Sequence, residues 1–289
     1  MKTVRLPDGV EVPALGLGTW HMGERKNTRA AEVAAVRHAL DIGYRLIDTA
    51  EMYGEGGAEE VVGLALRESL GNADKAGAAI DRESIFLVSK VYPHNATRSG
   101  VIGACERSLK RLGVDYLDLY LLHWPGQHPL RDTVAGFEVL RERGLIRRWG
   151  VSNFDTGDVA DLWRVPHGDR CATNQVYYSL SERGCEFDLQ PWLGKRNVPL
   201  MAYSPIDQGT LAKSSALKSL SARLSSTPAQ IALAWLLRNG QVMAIPKAMS
   251  SDHLEQNFAA GSIDLDADAL AELERLFPPP SQKESLAML

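Results

Sequence analysis

Four side chains of different chemistry stand at or just after the ends of apolar, strand-like runs. Asp48 ends the first run, Tyr53 follows it by five residues, Lys90 ends the second run and His123 ends the third. The runs themselves are residues 44–47, 85–89 and 117–122. In a parallel barrel, the carboxyl ends of all strands open onto one face, where active sites lie. We therefore expect these four side chains to meet.

An acid, a phenol, an amine and an imidazole together suit the reduction of a carbonyl group. Such a reaction needs a hydride donor and an acid that protonates the developing alkoxide. A phenol is a weak acid, with an ordinary pKa of about 10, and a neighbouring ammonium is expected to lower it. Lys90 would have this effect on Tyr53, with Asp48 keeping the lysine charged. His123 would donate a hydrogen bond to the substrate oxygen or relay a proton.

Each of the four residues also has a purely structural interpretation when it is taken alone. An aspartate after a strand commonly forms a turn, and a lysine there commonly extends to solvent. A histidine beside Trp124 is often a hydrogen-bonded core residue. Lys90 could alternatively act as a Schiff-base nucleophile in an aldolase barrel. The set as a whole favours the reductive site.

Composition excludes several classes of function. The chain of 289 residues has a net charge of −4, which favours neither a nucleic-acid nor a membrane partner. No run of 18 apolar residues or leader-like N-terminus occurs. Three cysteines without a CxxC pair are typical of a reducing compartment, so we expect a cytoplasmic protein. No metal is expected, because the histidines lack partners at ligand spacing.

Apolar runs alternate with helical patterns along the chain. The predicted strands are 15–19, 45–48, 85–90, 117–123, 148–152, 172–176, 200–204 and 242–247, after an N-terminal hairpin at 3–12. The predicted helices are 28–41, 59–70, 99–112, 132–143 and 228–238, most of them ending next to a glycine. Eight such units predict an α/β fold, a (β/α)8 TIM barrel with a short C-terminal tail, as a single domain over residues 1–289. The alternative, a doubly wound sheet, lacks its glycine motif before a helix.

Eight ordered motifs resemble the aldo-keto reductases. They are GLGTW (16–20), LIDTAEMYG (46–54), VSKV (88–91), LLHW (121–124), GVSNF (150–154), NQVY (174–177), AYSP (202–205) and IPK (245–247). The match runs from about residue 10 to residue 276. Within the family, GEGGAEE (54–60) and KVYP (90–93) are most similar to bacterial methylglyoxal reductases.

The resemblance implies a role for each of the four residues and a nicotinamide cofactor, NADPH, with NADH as the alternative. Tyr53 is the implied general acid, Lys90 and Asp48 set its pKa, and His123 orients the carbonyl. The implied cofactor contacts are Gly18, Thr19, Trp20, Asp48, Ser152, Asn153, Gln175, Tyr203, Ser204, Pro205, Ile206, Leu211, Ile245, Pro246, Lys247, Ala248, His253, Gln256 and Asn257. The substrate pocket is expected from Trp20, Tyr53, Tyr92, His123 and Trp124, with Met22, Met52 and Phe154 as further candidates.

The choice between NADPH and NADH depends on the end of the eighth strand. Lys247 is placed to meet an adenosine 2′-phosphate. Where NADPH-selecting members have a hydroxyl and an arginine, this chain has Ala248 and His253. The titratable imidazole of His253 thus stands where those members have the permanently charged guanidinium of arginine. We expect NADPH, with weakened discrimination against NADH.

The expected partner is a small carbonyl substrate, with 2-oxoaldehydes favoured, and the expected state is a monomer. Some barrels of this family bind NADPH as regulatory or scaffold subunits with little turnover, which is the alternative function. The intact acid set of Asp48, Tyr53, Lys90 and His123 disfavours that alternative.

Overall fold

The computed structural model describes residues 2–289, and its centre is an eight-stranded parallel sheet. Including the N-terminal hairpin, the strands within residues 2–289 are β1 (Thr3–Arg5), β2 (Glu11–Pro13), β3 (Leu17–Gly18), β4 (Leu46–Asp48), β5 (Phe86–Val91), β6 (Leu117–Leu122), β7 (Ile146–Ser152), β8 (Asn174–Tyr177), β9 (Leu200–Tyr203) and β10 (Val242–Ala244). β1 and β2 form the predicted antiparallel hairpin, with Val4 opposite Val12. β3 to β10 pair in chain order. The predicted α/β barrel is therefore confirmed.

Helices follow the strands along the chain. They are α1 (Arg29–Asp41), α2 (Gly57–Ser69), α3 (Arg98–Leu112), α4 (Leu130–Glu142), α5 (Thr156–Leu162), α6 (Leu189–Gly194), α7 (Lys218–Arg223), α8 (Pro228–Leu237), α9 (Ser251–Ala259) and α10 (Ala267–Leu276). Gly113 ends α3 in the left-handed conformation, where its N–H bonds the carbonyl of Leu109 at 2.8 Å. Within residues 2–289, no helix is long and apolar enough to cross a membrane.

The first and last parallel strands close the barrel. The Ala244 N–H donates to the carbonyl of Ala14 at 2.7 Å, and the Gly16 N–H donates to the carbonyl of Ala244 at 2.8 Å. The Gly18 N–H reaches the carbonyl of Pro246 at 3.1 Å. A Cβ atom at Gly18 would lie 2.7 Å from the carbonyl oxygen of Ile245, so only glycine permits this approach.

The last strand is shorter than the sequence pattern predicts. The predicted strand ran from 242 to 247, whereas β10 ends at Ala244. Pro246 has no N–H to donate to a ladder, so the regular pairing ends there, although its carbonyl still accepts from Gly18. Residues 245–248 instead line the cavity above the barrel.

The C-terminal segment 278–289 has no helix or strand, as expected for an extended tail, and it lies across the carboxyl-terminal face. Lys283 Nζ donates to Asp155 Oδ1 at 2.5 Å and to Asp188 Oδ1 at 2.8 Å, in the connections that follow β7 and β8. Leu286 packs against the core. These contacts bring Leu289 to the edge of the same cavity.

Candidate active site

The four strand-end residues meet around the ammonium of Lys90. This side chain is fully buried, and its Nζ donates to Asp48 Oδ2 at 2.7 Å, to the Thr49 carbonyl at 2.9 Å and to Tyr53 Oη at 3.1 Å. A charged lysine has three N–H donors and no acceptor. All three protons of Lys90 are therefore used.

This geometry decides where the proton of Tyr53 points. Because Lys90 donates to Oη, the hydroxyl proton of Tyr53 is directed away from the lysine. Tyr53 lines the cavity, and its ring meets the His123 ring edge-on with 5.6 Å between centroids. The phenol is thus placed to donate its proton to a molecule in the cavity.

The pKa of Tyr53 differs from the expectation drawn from the sequence. Burial, and secondly the carboxylate of Asp48, raise this pKa well above its usual value of 10.0. The pKa is therefore raised overall and not lowered as the sequence predicted, because desolvation of the phenolate dominates. Tyr53 is a fully protonated acid at neutral pH. The ammonium acts when the proton leaves, by stabilising the phenolate.

Lys90 and Asp48 form a buried ion pair whose charges depend on each other. Burial lowers the pKa of Lys90, and the neighbouring Asp48 carboxylate opposes this change. Burial likewise raises the pKa of Asp48, against the effect of Lys90. Asp48 Oδ1 also accepts a hydrogen bond from Gln175 Nε2 at 2.8 Å. Charge and hydrogen bonding keep the pair ionised, whereas either residue alone would neutralise.

His123 is held as a neutral ring. Burial, and secondly the charge of Lys90, bring its pKa well below the usual 6.5. Its Nδ1 is buried and has no hydrogen-bond partner within residues 2–289. A neutral imidazole can donate one N–H to a carbonyl oxygen in the cavity that the ring lines. The site thus presents two neutral donors, Tyr53 and His123.

A cavity of about 780 Å³ extends from these residues across the barrel mouth. This volume is typical of a site for a cofactor-sized ligand. The predicted residues that line it are Gly18, Trp20, Asp48, Tyr53, His123, Trp124, Ser152, Asn153, Gln175, Tyr203, Ser204, Pro205, Ile206, Ile245, Pro246, Lys247, Ala248, His253, Gln256 and Asn257, and Met52 lines it as well.

Three of the predicted contact residues do not line the cavity. The Thr19 side chain is buried and donates to the Asp48 carbonyl at 2.9 Å, which supports the end of β4. Leu211 is buried in the core. Tyr92 lies beyond Trp124, to which it packs edge-on with 5.8 Å between centroids. Of the further candidates, Met22 and Phe154 are fully buried.

Other lining residues went unpredicted, and Lys213 is the most informative. They are His21, Gln208, Gly209, Ala212, Lys213, Thr227, Pro228, Ala229 and Leu289. Neither Lys213 nor Lys247 pairs with a carboxylate of the described chain, in which the paired lysines are Lys2, Lys75, Lys90 and Lys283. Among the lining residues within 2–289, Asp48 has the only acidic side chain. The cavity therefore carries two lysines without a carboxylate partner, which suits a phosphorylated ligand.

Asn153 lines the cavity and connects Tyr203 to the backbone of His123. Its Nδ2 donates to the His123 carbonyl at 3.1 Å, and its Oδ1 accepts from Tyr203 Oη at 2.9 Å. Asn153 has a φ of 59°, in the left-handed region that asparagine tolerates better than most residues. The Tyr203 ring is thereby fixed relative to the backbone that carries His123.

The comparisons with known proteins agree with this geometry. Residues 14–277 match the model of the aldo/keto reductase family. The chain is 46% identical over 293 residues to methylglyoxal reductase YeaE of Escherichia coli, covering 100% of this chain and 99% of that protein. It is 34% identical over 286 residues to glyoxal reductase of Bacillus subtilis, covering 97% and 96%.

A solved structure is also closely similar. It is the aldo/keto reductase from Klebsiella pneumoniae in complex with NADP and acetate, with a TM-score of 0.92 and 49% identity over 100% of this chain and 99% of that one. The extent of these matches, together with the barrel, shows that the chain belongs to the aldo/keto reductase family.

Proposed function

We propose that the protein uses NADPH to reduce small aldehydes and ketones to alcohols, with Tyr53 as the general acid. The observation that carries this proposal is the threefold donation of Lys90, which leaves the Tyr53 proton directed into the cavity. Substrate-sized carbonyl compounds are proposed for the end of the cavity between Trp20, Met52 and Trp124.

The residues of the cavity fit a nicotinamide dinucleotide. Lys247 and Lys213 offer cations, and Tyr203 offers an aromatic face. Ser152, Asn153 and Gln175 provide polar groups beside the acid set. When bound, the reduced nicotinamide supplies the hydride.

The side chains orient the carbonyl group, transfer the proton and stabilise the charges that form. His123 donates a hydrogen bond that orients the carbonyl oxygen and stabilises the charge that develops on it. Tyr53 Oη gives its proton to that oxygen. Lys90 stabilises the resulting phenolate through the 3.1 Å contact, and Asp48 keeps Lys90 charged. In a buried site, these charges act with little screening by water.

The names of the relatives favour 2-oxoaldehydes as substrates. The similar Escherichia coli and Bacillus subtilis proteins are named methylglyoxal reductase and glyoxal reductase. The aromatic wall of Trp20 and Trp124 suits small uncharged carbonyl compounds. The proposed substrates therefore include methylglyoxal.

Steady-state kinetics with an aldehyde panel test this proposal. Methylglyoxal, glyoxal and a simple aliphatic ketone would each be offered with NADPH and with NADH. We expect turnover of the aldehydes with NADPH. Saturable binding of NADPH without turnover of any compound would instead favour the regulatory or scaffold function.

The proposed setting is a cytoplasmic monomer. All three cysteines are free and buried, which suits a reducing compartment. Size-exclusion chromatography with light scattering checks the monomer, for which the mass from the sequence is 31.6 kDa.

The pKa directions predict how reduction depends on pH. Reduction needs Tyr53 protonated, His123 neutral and Lys90 charged, and the carboxylate of Asp48 opposes the loss of the Lys90 proton. Because the pKa of Tyr53 is raised and that of His123 is lowered, we expect kcat/KM for reduction to stay level from about pH 7 to about pH 10. The rate should fall only above this window, as Tyr53 loses its proton. A fall centred between about pH 7 and pH 9 would contradict the assignment.

Removing Lys247 should change the choice of cofactor. In Lys247→Ala, we expect the Kd of NADPH to rise about tenfold and that of NADH less than twofold, because only NADPH has the 2′-phosphate. Quenching of tryptophan fluorescence on titration measures both constants. The matched control is Lys213→Ala, which we expect to weaken both cofactors alike. Equal weakening of both by Lys247→Ala would disprove its role in selection.

A further inference from the structure

Tyr177 supports the ring of Tyr203 from outside the cavity. The two residues are partners in the parallel ladder of β8 and β9, and their rings stack with 5.6 Å between centroids and 21° between planes. Tyr203 lines the cavity, whereas Tyr177 does not. The Tyr177 ring therefore backs the aromatic face that is proposed to meet the nicotinamide.

The hydroxyl of Tyr177 connects this stack to the loop after β9. We call residues 204–209 the cofactor loop, because Ser204, Pro205, Ile206, Gln208 and Gly209 all line the cavity. Tyr177 Oη donates to Asp207 Oδ1, and Ser181 Oγ donates to Asp207 Oδ2 at 3.2 Å. Within residues 2–289, these are the only side-chain hydrogen bonds of the cofactor loop to other elements.

The backbone of the cofactor loop needs such an anchor. Ser204, Asp207 and Gln208 have φ values of 48°, 51° and 49°, in the left-handed region that disfavours residues other than glycine. Conformations of this kind persist only where the surroundings hold them, and they cluster at ligand clamps. Asp207 is both one of the strained residues and the one that is bonded to Tyr177.

The Tyr203 ring extends the connection to the acid set. Its Oη donates to Asn153, whose Nδ2 donates to the carbonyl of His123. A displacement of Tyr177 would therefore reach both the cofactor loop and the residues around His123.

We propose that Tyr177 and Asp207 are positioning residues that form a latch: they hold the cofactor loop closed over NADPH and thereby set how long the cofactor stays bound. This inference rests on the proposed function. Neither residue touches the reacting atoms. Their effect passes through the cofactor loop and through Tyr203.

The test is the dissociation rate of NADPH, measured by stopped-flow fluorescence with excess NADP as the competitor. Tyr177→Phe keeps the stacked ring and removes the hydroxyl, so we expect dissociation about 10- to 100-fold faster, as for the loss of a hydrogen bond to a charged group. The Kd should rise by a similar factor. Dissociation within twofold of the wild-type rate would overturn the latch.

Matched variants separate the latch from a general loss of stability. Tyr178→Phe also removes a hydroxyl that donates to a carboxylate, that of Glu186 at 2.7 Å, at a site buried away from the cavity. We expect it to lower thermal stability without changing NADPH dissociation. An equal increase in dissociation for Tyr178→Phe would contradict the assignment to Tyr177.

Substitutions of Asp207 test the other half of the latch. Asp207→Asn keeps a hydrogen-bond acceptor, so its NADPH dissociation rate should lie between the rates of the wild type and of Asp207→Ala. The double variant Tyr177→Phe/Asp207→Ala should release NADPH no faster than Asp207→Ala alone, whereas independent effects would multiply. If the wild type binds NADPH but reduces no aldehyde, the proposed function fails, while the dissociation rates still decide the latch.

Discussion

Tyr53→Phe is expected to lower aldehyde reduction by about 10²–10⁴-fold, the usual contribution of a positioned general acid. The substitution removes only the hydroxyl oxygen that accepts from Lys90 and carries the proton. The ring, its contact with His123 and the wall of the cavity remain. We therefore expect the Kd of NADPH to change less than threefold, as measured by fluorescence titration, while kcat falls.

The matched control for this variant is Tyr92→Phe. Tyr92 lies beyond Trp124, and its only side-chain hydrogen bond within residues 2–289 is a long one to Glu55, at 3.5 Å. The Tyr92→Phe variant should therefore keep nearly full aldehyde reduction. Turnover of Tyr53→Phe within tenfold of the wild type would show that another group protonates the developing alkoxide.

Lys90→Met is expected to lose both activity and stability. The substitution leaves the carboxylate of Asp48 buried without its cation, although Gln175 still donates to it. Breaking a buried ion pair by removing one partner typically costs about 3–5 kcal/mol. We expect the free energy of unfolding, from urea denaturation, to fall by about that amount. Turnover should fall as well, because the phenolate of Tyr53 loses its counter-charge.

A double variant separates these two effects. In Asp48→Asn/Lys90→Met, no uncompensated charge stays buried, so much of the lost stability should return. Turnover should stay low, because the ammonium beside Tyr53 is still missing. Recovery of turnover together with stability would mean that Lys90 serves the fold and not the reaction.

The arrangement of Asp48, Tyr53, Lys90 and His123 could be predicted from the sequence because strand ends carry strong local signals. A parallel barrel brings the ends of β4, β5 and β6 to one face whatever the details of the helices. The aldolase alternative could not be excluded at that level. The structure disfavours it, because every N–H of Lys90 is donated and the side chain is fully buried.

The remaining features of the site depend on burial and on the course of irregular segments, which the sequence alone does not show. The direction of the Tyr53 pKa follows from burial competing with charge, and burial is a property of the folded chain. Lys213 and Gln208 lie in an irregular segment after β9, where no periodic pattern predicts which side chains face the cavity. The approach of Leu289 depends on the ion pairs that Lys283 forms with Asp155 and Asp188, which are distant from it in the sequence.

The central claim is that a hydride passes to a carbonyl group in this cavity while Tyr53 supplies the proton. Mass spectrometry of the product formed with NADPH that carries deuterium at the transferable position tests it most directly. We predict one deuterium on the alcohol carbon of the product from methylglyoxal, formed by the wild type and almost absent with Tyr53→Phe. Unlabelled product, or NADPH that stays bound and unconsumed, would contradict the account.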